Sequence, residues 1–288
     1  MRPVERSVAV SDTELALRDW EADGPPILFW HALGDHSSMQ MVEAAPVLAR
    51  WFGYHVVGID APGFGGSPRL PDERYEIRPL VELGHALIDA LGFERPVWSG
   101  SSWGATLGVH VSAAHHERLA GLVLLDGGYM HSSEGKSLAE LKEHWRAQDG
   151  FRYGSWEQLF DEARGYFGRW SPEMEAYVRA SFRAENGAVV SVMGPDVYAA
   201  AIHGVQETPP WEALREIGES ELPVLLLAAT EVPADLEERR AAGLERFAEL
   251  VPQAEVRVVE GSPHFLLEHR PGEIARRIGG WLQAQGYG

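Results

Sequence analysis

One glycine-flanked serine carries the clearest chemical signal in the sequence. Gly100-Ser101-Ser102-Trp103-Gly104 fits the pattern G-x-S-x-G, and it lies between a predicted strand and a predicted helix. A sharp strand-to-helix turn holds its central residue in a strained backbone conformation, and small residues on either side let the strand and the helix pass closely. We therefore predict that Ser102 is a nucleophile, presented at the positive end of the following helix.

The elements that must position this serine are predicted from the spacing of apolar residues. The first half of the chain alternates short β-rich apolar runs with helical patterns, which is typical of a parallel sheet with crossover helices. Nearly continuous apolar character further indicates strands that are buried on both faces. After an opening pair of strands in residues 6–20, the predicted strands are residues 26–30, 54–60, 96–99, 121–126, 223–228 and 255–259.

A change of rhythm at Gly127-Gly128 indicates an inserted segment. From there to about residue 210 the sequence has a helical but irregular pattern, is rich in aromatic residues and has no strong strand signal. We therefore predict an α/β core of residues 1–127 and 211–288, with a helical cap of residues 128–210 inserted into it. We also expect the cap to roof an apolar acyl pocket, because its aromatic side chains supply large hydrophobic surfaces.

Three further motifs, in order with the serine pentapeptide, extend the signal over nearly the whole chain. His31-Ala32-Leu33-Gly34 follows a predicted strand, Asp60-Ala61-Pro62-Gly63-Phe64-Gly65-Gly66-Ser67 follows the next one, and Gly261-Ser262-Pro263-His264-Phe265 follows the last. With these motifs the chain resembles the α/β-hydrolase superfamily, in its esterase, epoxide hydrolase and dehalogenase-like branch. The resemblance implies an α/β fold with a mainly parallel sheet, helices on both faces and an inserted helical cap.

The same resemblance implies roles for individual residues. His264 stands where the family places the general base, and the backbone N–H groups of Leu33 and Trp103 stand where it places the oxyanion donors. The chain departs from the family pattern at Ala32 and Pro263, where glycine is usual. Because the oxyanion roles need no side chain, the change at Ala32 concerns backbone shape alone.

The acid that would orient the histidine has more than one candidate. The family usually carries it a few residues beyond the strand 223–228, where this chain has Glu231 and Asp235 without the usual spacing from glycine to aspartate. Asp126 instead ends the strand that follows the serine helix, and some members of the dehalogenase-like branch have the acid there. We favour Asp126 over Glu231, with Asp235 third. An acid at any of these positions would orient His264 and stabilise its cation.

These residues indicate acyl transfer to water. Ser102 would attack a carbonyl and His264 would take its proton, so we expect a carboxylesterase that acts on a small to medium ester. Amide, lactone, thioester and carbon–carbon bond hydrolysis stay open, as does perhydrolysis. A serine cannot form the alkyl-ester intermediate of epoxide hydrolases and haloalkane dehalogenases, which use aspartate. The alternative to an enzyme is a small-ligand receptor that retains the serine, the histidine and the acid.

Composition limits the partners. The 288 residues include 43 acidic and 25 basic side chains, which gives a net charge of −18 at pH 7. That charge repels polyanions, so nucleic acid and anionic membranes are poor partners and strongly anionic substrates are mildly disfavoured. The absence of cysteine excludes disulfides, thiolate metal sites and a cysteine nucleophile. No metal-ligand spacing occurs, so we expect no metal and no cofactor. Without a signal peptide or a membrane-spanning apolar run, we expect a soluble cytoplasmic protein, with a homodimer left open.

Overall fold

The first half of the chain alternates strands and helices as its apolar pattern predicts. The computed structural model describes residues 1–131, 135–148, 151–231 and 233–288. The strands of this half are β1 (Val4–Val10), β2 (Thr13–Trp20), β3 (Pro26–Trp30), β4 (His55–Ile59), β5 (Val97–Ser101) and β6 (Gly121–Leu125). Its α-helices are α1 (Ala45–Phe52), α2 (Ile77–Ala90) and α3 (Trp103–His115), with short 3-10 helices at Ser38–Met41, Asp72–Tyr75 and His116–Arg118.

The inserted segment after β6 contains helices and a small antiparallel sheet. Its helices are α4 (Leu138–Arg146), α5 (Trp156–Phe167), α6 (Pro172–Ser181) and α7 (Gly194–Glu207). Its strands are β7 (Arg152–Tyr153), β8 (Phe182–Glu185) and β9 (Ala188–Ser191), which pair in the order β7-β9-β8.

The prediction that this segment lacks strands was therefore wrong. Asn186 and Gly187 connect β8 to β9 with φ angles of 48° and 76°. Two successive residues with positive φ form the turn that matches the twist of a two-stranded hairpin, and Asn-Gly is the favoured sequence for it. The flanking strands have only four residues each, so their alternation is too short to stand out from the helical pattern around them.

The chain returns to the large sheet with two strands and closes it with helices. These elements are β10 (Val224–Glu231), β11 (Glu255–Pro263), α8 (Trp211–Gly218), α9 (Ala234–Leu250), α10 (Leu266–His269) and α11 (Pro271–Ala284). The large sheet has the order β1-β2-β4-β3-β5-β6-β10-β11, and it is parallel from β4 onward. The strands β5, β6, β10 and β11 are therefore neighbours whose carboxyl ends meet at one edge. Among the described helices, none is both long and apolar enough to cross a membrane.

Two hydrophobic clusters cover the two faces of this sheet. Alternate residues of β3 belong to different clusters, because successive side chains of a strand point to opposite faces. Leu28 and Trp30 pack in the cluster that includes residues of α2 and α3, whereas Ile27 and Phe29 pack in the one that includes residues of α1 and α11. The predicted mainly parallel sheet with helices on both faces is confirmed.

Candidate active site

Ser102 occupies a strained turn between β5 and α3. Its φ and ψ angles are 50° and −106°, a conformation that residues with a side chain rarely adopt. The glycines on either side are required by close approach. A Cβ on Gly100 would lie 2.1 Å from the Gly104 carbonyl oxygen, and a Cβ on Gly104 would lie 2.1 Å from the Trp30 carbonyl oxygen. The spacing of glycines in the pentapeptide thus reflects how tightly the turn packs, and the turn presents the Ser102 hydroxyl at the sheet edge.

His264 lies within hydrogen-bond distance of both Ser102 and Asp126. Its Nε2 is 2.9 Å from Ser102 Oγ, and its Nδ1 is 2.7 Å from Asp126 Oδ2. An ionised carboxylate can only accept a hydrogen bond, so Nδ1 carries the proton and Nε2 is free to accept from the serine hydroxyl. The His264 side chain is 39% exposed and that of Asp126 is 1% exposed. The histidine therefore faces the cavity while its acid partner is shielded from water.

Asp126 is held in place by donors from several segments. Besides His264, its carboxylate accepts from the Tyr129 hydroxyl at 2.7 Å and from the Ala229 backbone N–H at 3.0 Å. Burial raises the pKa of this carboxyl, but the hydrogen bond and charge of His264, with the Tyr129 and Ala229 donors, lower it overall below its usual value. Asp126 is therefore ionised at neutral pH, as a group that stabilises a histidine cation must be.

The other two candidate acids lie away from this trio. Glu231 is exposed at the end of β10, where it lines a separate surface hollow with Gly261, His269 and Arg270. Asp235 is exposed in the first turn of α9. Within the described residues neither carboxylate makes a hydrogen bond to His264. The structure thus brings Asp126 to the histidine and leaves Glu231 and Asp235 outside.

The two predicted oxyanion donors face the same space as the serine. Leu33 and Trp103 line one cavity with Ser102 and His264. Trp103 is the first residue of α3, so its N–H has no acceptor within the helix. In the described part of the chain, the Leu33 N–H also donates to no protein group. Two free N–H groups beside a serine hydroxyl can receive the negative charge of a tetrahedral intermediate.

Two cavities meet at Leu33, which lines both. The Ser102 cavity has a volume of about 610 Å³ and is lined by Ser102, His264 and mainly apolar side chains, together with Arg239 and Arg240. The aromatic cavity has a volume of about 380 Å³. It contains Asp35, Glu162 and the rings of Tyr153, Tyr166, Phe167, Tyr177, Phe182, Tyr198 and Phe265.

A comparison with known families identifies the fold. The model of the α/β-hydrolase fold family matches residues 25–271, which is most of the chain. The chain belongs to the α/β-hydrolase family.

Individual relatives match only part of the length of this chain. Epoxide hydrolase A of Mycobacterium tuberculosis is 32% identical over 125 residues, which are 43% of this chain and 38% of the relative. The haloalkane dehalogenase of Mycobacterium marinum is 30% identical over 129 residues, 44% of this chain and 41% of the relative. Monoacylglycerol lipase abhd6-B of Xenopus laevis is 27% identical over 133 residues, 44% of this chain and 38% of the relative. These alignments span about two fifths of each relative.

Solved structures share the fold of this chain over almost all of its length. E-2-(acetamidomethylene)succinate hydrolase superposes with a TM-score of 0.79 and 20% identity, covering 97% of this chain and 99% of the other. The thioesterase domain of the curacin biosynthetic pathway gives 0.80 and 16% identity, covering 96% and 99%. A serine hydrolase of carbazole degradation, CarC, gives 0.73 and 19% identity, covering 98% and 99%. At such identities the likeness concerns the fold alone.

A buried polar network supports the loop that contains Ala32 and Leu33, and sequence analysis missed it. The Gln40 side-chain oxygen accepts from the Ala32 N–H at 3.0 Å, and its amide nitrogen donates to Glu268 at 2.8 Å. Tyr177 of the inserted segment also donates to Glu268, at 3.0 Å, and contacts His36. Gln40 and Glu268 are 228 positions apart, so no local pattern could have paired them. The contact between Tyr129 and Asp126 could have been predicted from the sequence, because the two residues are only three positions apart.

The side chains around Ser102 form no evident metal centre. No group of three or more histidine, cysteine, aspartate or glutamate residues that could hold a metal ion occurs in residues 1–131, 135–148, 151–231 and 233–288.

Proposed function

We propose that the protein is a serine hydrolase that cleaves a small to medium carboxylic ester through an acyl-enzyme on Ser102. The observation that carries this proposal is the pair of hydrogen bonds, 2.9 Å and 2.7 Å, that joins Ser102, His264 and Asp126. A base within reach of the nucleophile and an acid within reach of the base are what a weak nucleophile needs in order to react.

The first half of the reaction forms the acyl-enzyme. Ser102 Oγ attacks the ester carbonyl carbon while His264 Nε2 takes its proton, and Asp126 stabilises the resulting cation. The N–H groups of Leu33 and Trp103 donate to the oxygen of the tetrahedral intermediate. When the intermediate collapses, the bond to the alcohol oxygen breaks, and the alcohol leaves with the proton from His264.

The second half releases the acid. Water enters, His264 takes its proton, and the hydroxide oxygen attacks the acyl carbon on Ser102. The new intermediate collapses with the proton returning to Ser102 Oγ. Neither half changes an oxidation state, and water is the only reagent besides the ester. The residues named are therefore sufficient for the reaction.

A serine nucleophile separates the proposed activity from that of two relatives named above. An aspartate nucleophile forms an alkyl ester that water then cleaves at the aspartate's own carboxyl carbon. Ser102 would form an alkyl ether with an epoxide or a haloalkane, and an ether has no carbonyl carbon for water to attack. The proposed enzyme therefore acts on a substrate that has an acyl group.

We further propose that residues 128–210 act as a cap that shapes the substrate site. Support comes from the cavity walls, since Ile202, Val205 and Gln206 of α7 line the Ser102 cavity. Most of the aromatic cavity is also formed by this segment.

Turnover of 4-nitrophenyl butanoate tests the proposed function. Ser102→Ala should lower kcat on the order of 10⁴-fold or more, because it removes the nucleophile. Ser101→Ala is the matched control, with an expected change below about threefold, because the Ser101 hydroxyl accepts only a long hydrogen bond of 3.4 Å from Gln40 and does not contact His264. Equal turnover by the folded Ser102→Ala variant and the wild type would overturn the proposal, and binding of the ester without turnover by the wild type would favour a receptor.

A further inference from the structure

Three side chains in the wall of the Ser102 cavity have buried polar atoms without a hydrogen-bond partner among the described residues. Arg240 carries two of these atoms, Nε and Nη2, Gln206 carries one, Oε1, and His131 carries one, Nδ1. The three residues belong to α9, to α7 and to the chain after β6. Unsatisfied polar groups from three separate segments thus converge on one cavity, which is the arrangement of a ligand site rather than of one poorly packed side chain.

Arg240 carries a permanent positive charge, and it is half-buried with its guanidinium interacting with the Tyr129 hydroxyl, which supplies no negative charge. A charge in a partly enclosed cavity is poorly solvated, so arginines in such places are normally paired with a carboxylate. Arg18 follows that rule, because its guanidinium contacts Asp60 at 2.9 Å, and Arg169 pairs with Glu43. Arg240 has no such carboxylate in the described part of the chain. An anion bound in the cavity would supply this partner.

The charged groups around Arg240 leave it free to bind an anion. Asp126 lines the same cavity, but its carboxylate already accepts from His264, Tyr129 and Ala229. Arg239 adds a second, exposed cation to the wall. This cavity is therefore locally cationic, although the whole chain has a net charge of −18.

We propose that Arg240 binds a carboxylate carried by the acyl portion of the substrate, which would make the preferred ester a half-ester of a dicarboxylic acid. This inference rests on the proposed function, because it assumes that the acyl group enters the Ser102 cavity. A guanidinium presents its donors in a planar fork that matches both carboxylate oxygens. Gln206 and His131 can supply further hydrogen bonds, and Ile202 can contact the chain between the two carbonyl carbons.

The proposal differs from the expectation drawn from composition. Net charge suggested that anionic substrates are disfavoured, but the field at a few ångströms is set by the nearest charges and by the low dielectric of a cavity. Arg239 and Arg240 therefore outweigh the distant surface carboxylates for a ligand inside the cavity.

The test compares two esters of equal acyl length, 4-nitrophenyl hemiglutarate and 4-nitrophenyl pentanoate. The measured quantity is the ratio of their kcat/KM values. Arg240→Gln should lower this ratio at least about 30-fold, mainly through the KM of the hemiglutarate, because it removes one partner of an enclosed charge pair. Arg240→Lys should keep part of the ratio, since it retains the charge without the fork. Arg246→Gln is the control on the same helix, because Arg246 stacks on Trp211 instead of lining the cavity.

A binding measurement separates failure of this inference from failure of the proposed function. Glutarate binding to Ser102→Ala, followed by calorimetry, needs no turnover and should weaken at least about 30-fold in Ser102→Ala/Arg240→Gln. An unchanged ester ratio together with unchanged glutarate binding would overturn the inference. An equal loss on both esters would also contradict it, since Arg240 would then act on the triad through Tyr129. If no ester is turned over but glutarate binding depends on Arg240, the proposed function fails and the anion site stands.

Discussion

The Ser102 cavity and the aromatic cavity meet at Leu33, but they are built from different parts of the chain. The Ser102 cavity is formed by core residues after β3, β5, β6 and β11, by α9 and by one wall from α7 of the inserted segment. The aromatic cavity is formed mainly by the inserted segment, with Leu33–His36 and Phe265 from the core. Their charged side chains also differ, because Arg239 and Arg240 line the first cavity beside Asp126, whereas Asp35 and Glu162 line the second beside His36.

This contrast separates the chemistry from the selection of substrate. The side chains proposed to react are fixed by strained backbone at Ser102 and by several hydrogen bonds at Asp126. The aromatic cavity depends on packing between rings, which tolerates a change of shape more readily than a hydrogen-bonded triad does. We therefore expect changes beside Ser102 to alter rate and changes in the aromatic cavity to alter stability or selectivity.

The largest effect is expected at the end of β6. Asp126→Asn should lower kcat about 10⁴-fold, because an amide in this position favours the wrong tautomer of His264. Glu231→Gln, at the end of the neighbouring strand β10, is the control and should change kcat less than about threefold. Both variants are assayed on 4-nitrophenyl butanoate, with folding checked by circular dichroism. A collapse in Glu231→Gln while Asp126→Asn retains its rate would show that the acid was assigned to the wrong strand.

The second prediction concerns Asp35 in the wall of the aromatic cavity. Burial raises the pKa of Asp35 to about 6, against the opposing hydrogen bond from Ser191 and the charge of His36. Because the folded state then holds this proton more tightly than the unfolded state, stability falls as the pH rises from about 4 through about 6. Asp35→Asn should therefore be more stable than the wild type by roughly 1–3 kcal/mol at pH 7.5 and equal to it at pH 4.

Urea unfolding at the two pH values measures this difference. The exposed Asp161→Asn is the matched control, and its difference from the wild type should not grow between pH 4 and pH 7.5. An Asp35→Asn variant that is less stable than the wild type at pH 7.5 would show that the carboxylate is ionised and well satisfied in the folded protein.

The third prediction fills the aromatic cavity. Ala163 of α5 lines it, so Ala163→Phe should reduce kcat/KM for 4-nitrophenyl octanoate about tenfold relative to the acetate, if long chains extend past Leu33. Gly165→Phe adds the same ring to the same helix where the space is open, and it should leave the ratio unchanged. If Ala163→Phe and Gly165→Phe had the same ratio of kcat/KM for the octanoate to that for the acetate, the aromatic cavity would take no part of the ester.

Sequence analysis was most successful where function depends on local geometry. Ser102 is predicted from five consecutive residues, because the turn needs glycines at fixed offsets, and the structure shows what those glycines approach. The buried strands β3, β4, β5 and β6 are predicted to within two residues of their ends, since continuous apolar runs rarely form other structures. The strands β10 and β11 extend further than predicted, to Glu231 and Pro263.

What sequence analysis missed depends on contacts between distant residues. Neither strand alone decides between Asp126 and Glu231, because the choice depends on whether the carboxylate after β6 or the one at the end of β10 reaches His264. Arg240 looks like an ordinary surface residue of an amphipathic helix until the cavity beside it is seen. Two arginines line that cavity although the chain as a whole is acidic, so composition and the proposed anion site lead to different expectations for the substrate.

The central claim, that Ser102 forms a covalent acyl-type adduct with help from His264, is tested most directly by mass spectrometry after treatment with a fluorophosphonate. The account predicts one adduct per chain, found on the peptide that contains Ser102 and assigned to Ser102 rather than Ser101 by fragmentation. His264→Ala should slow labelling by orders of magnitude, because the serine then lacks its base. An adduct on any other residue, or no adduct in a sample that hydrolyses esters, would contradict the account.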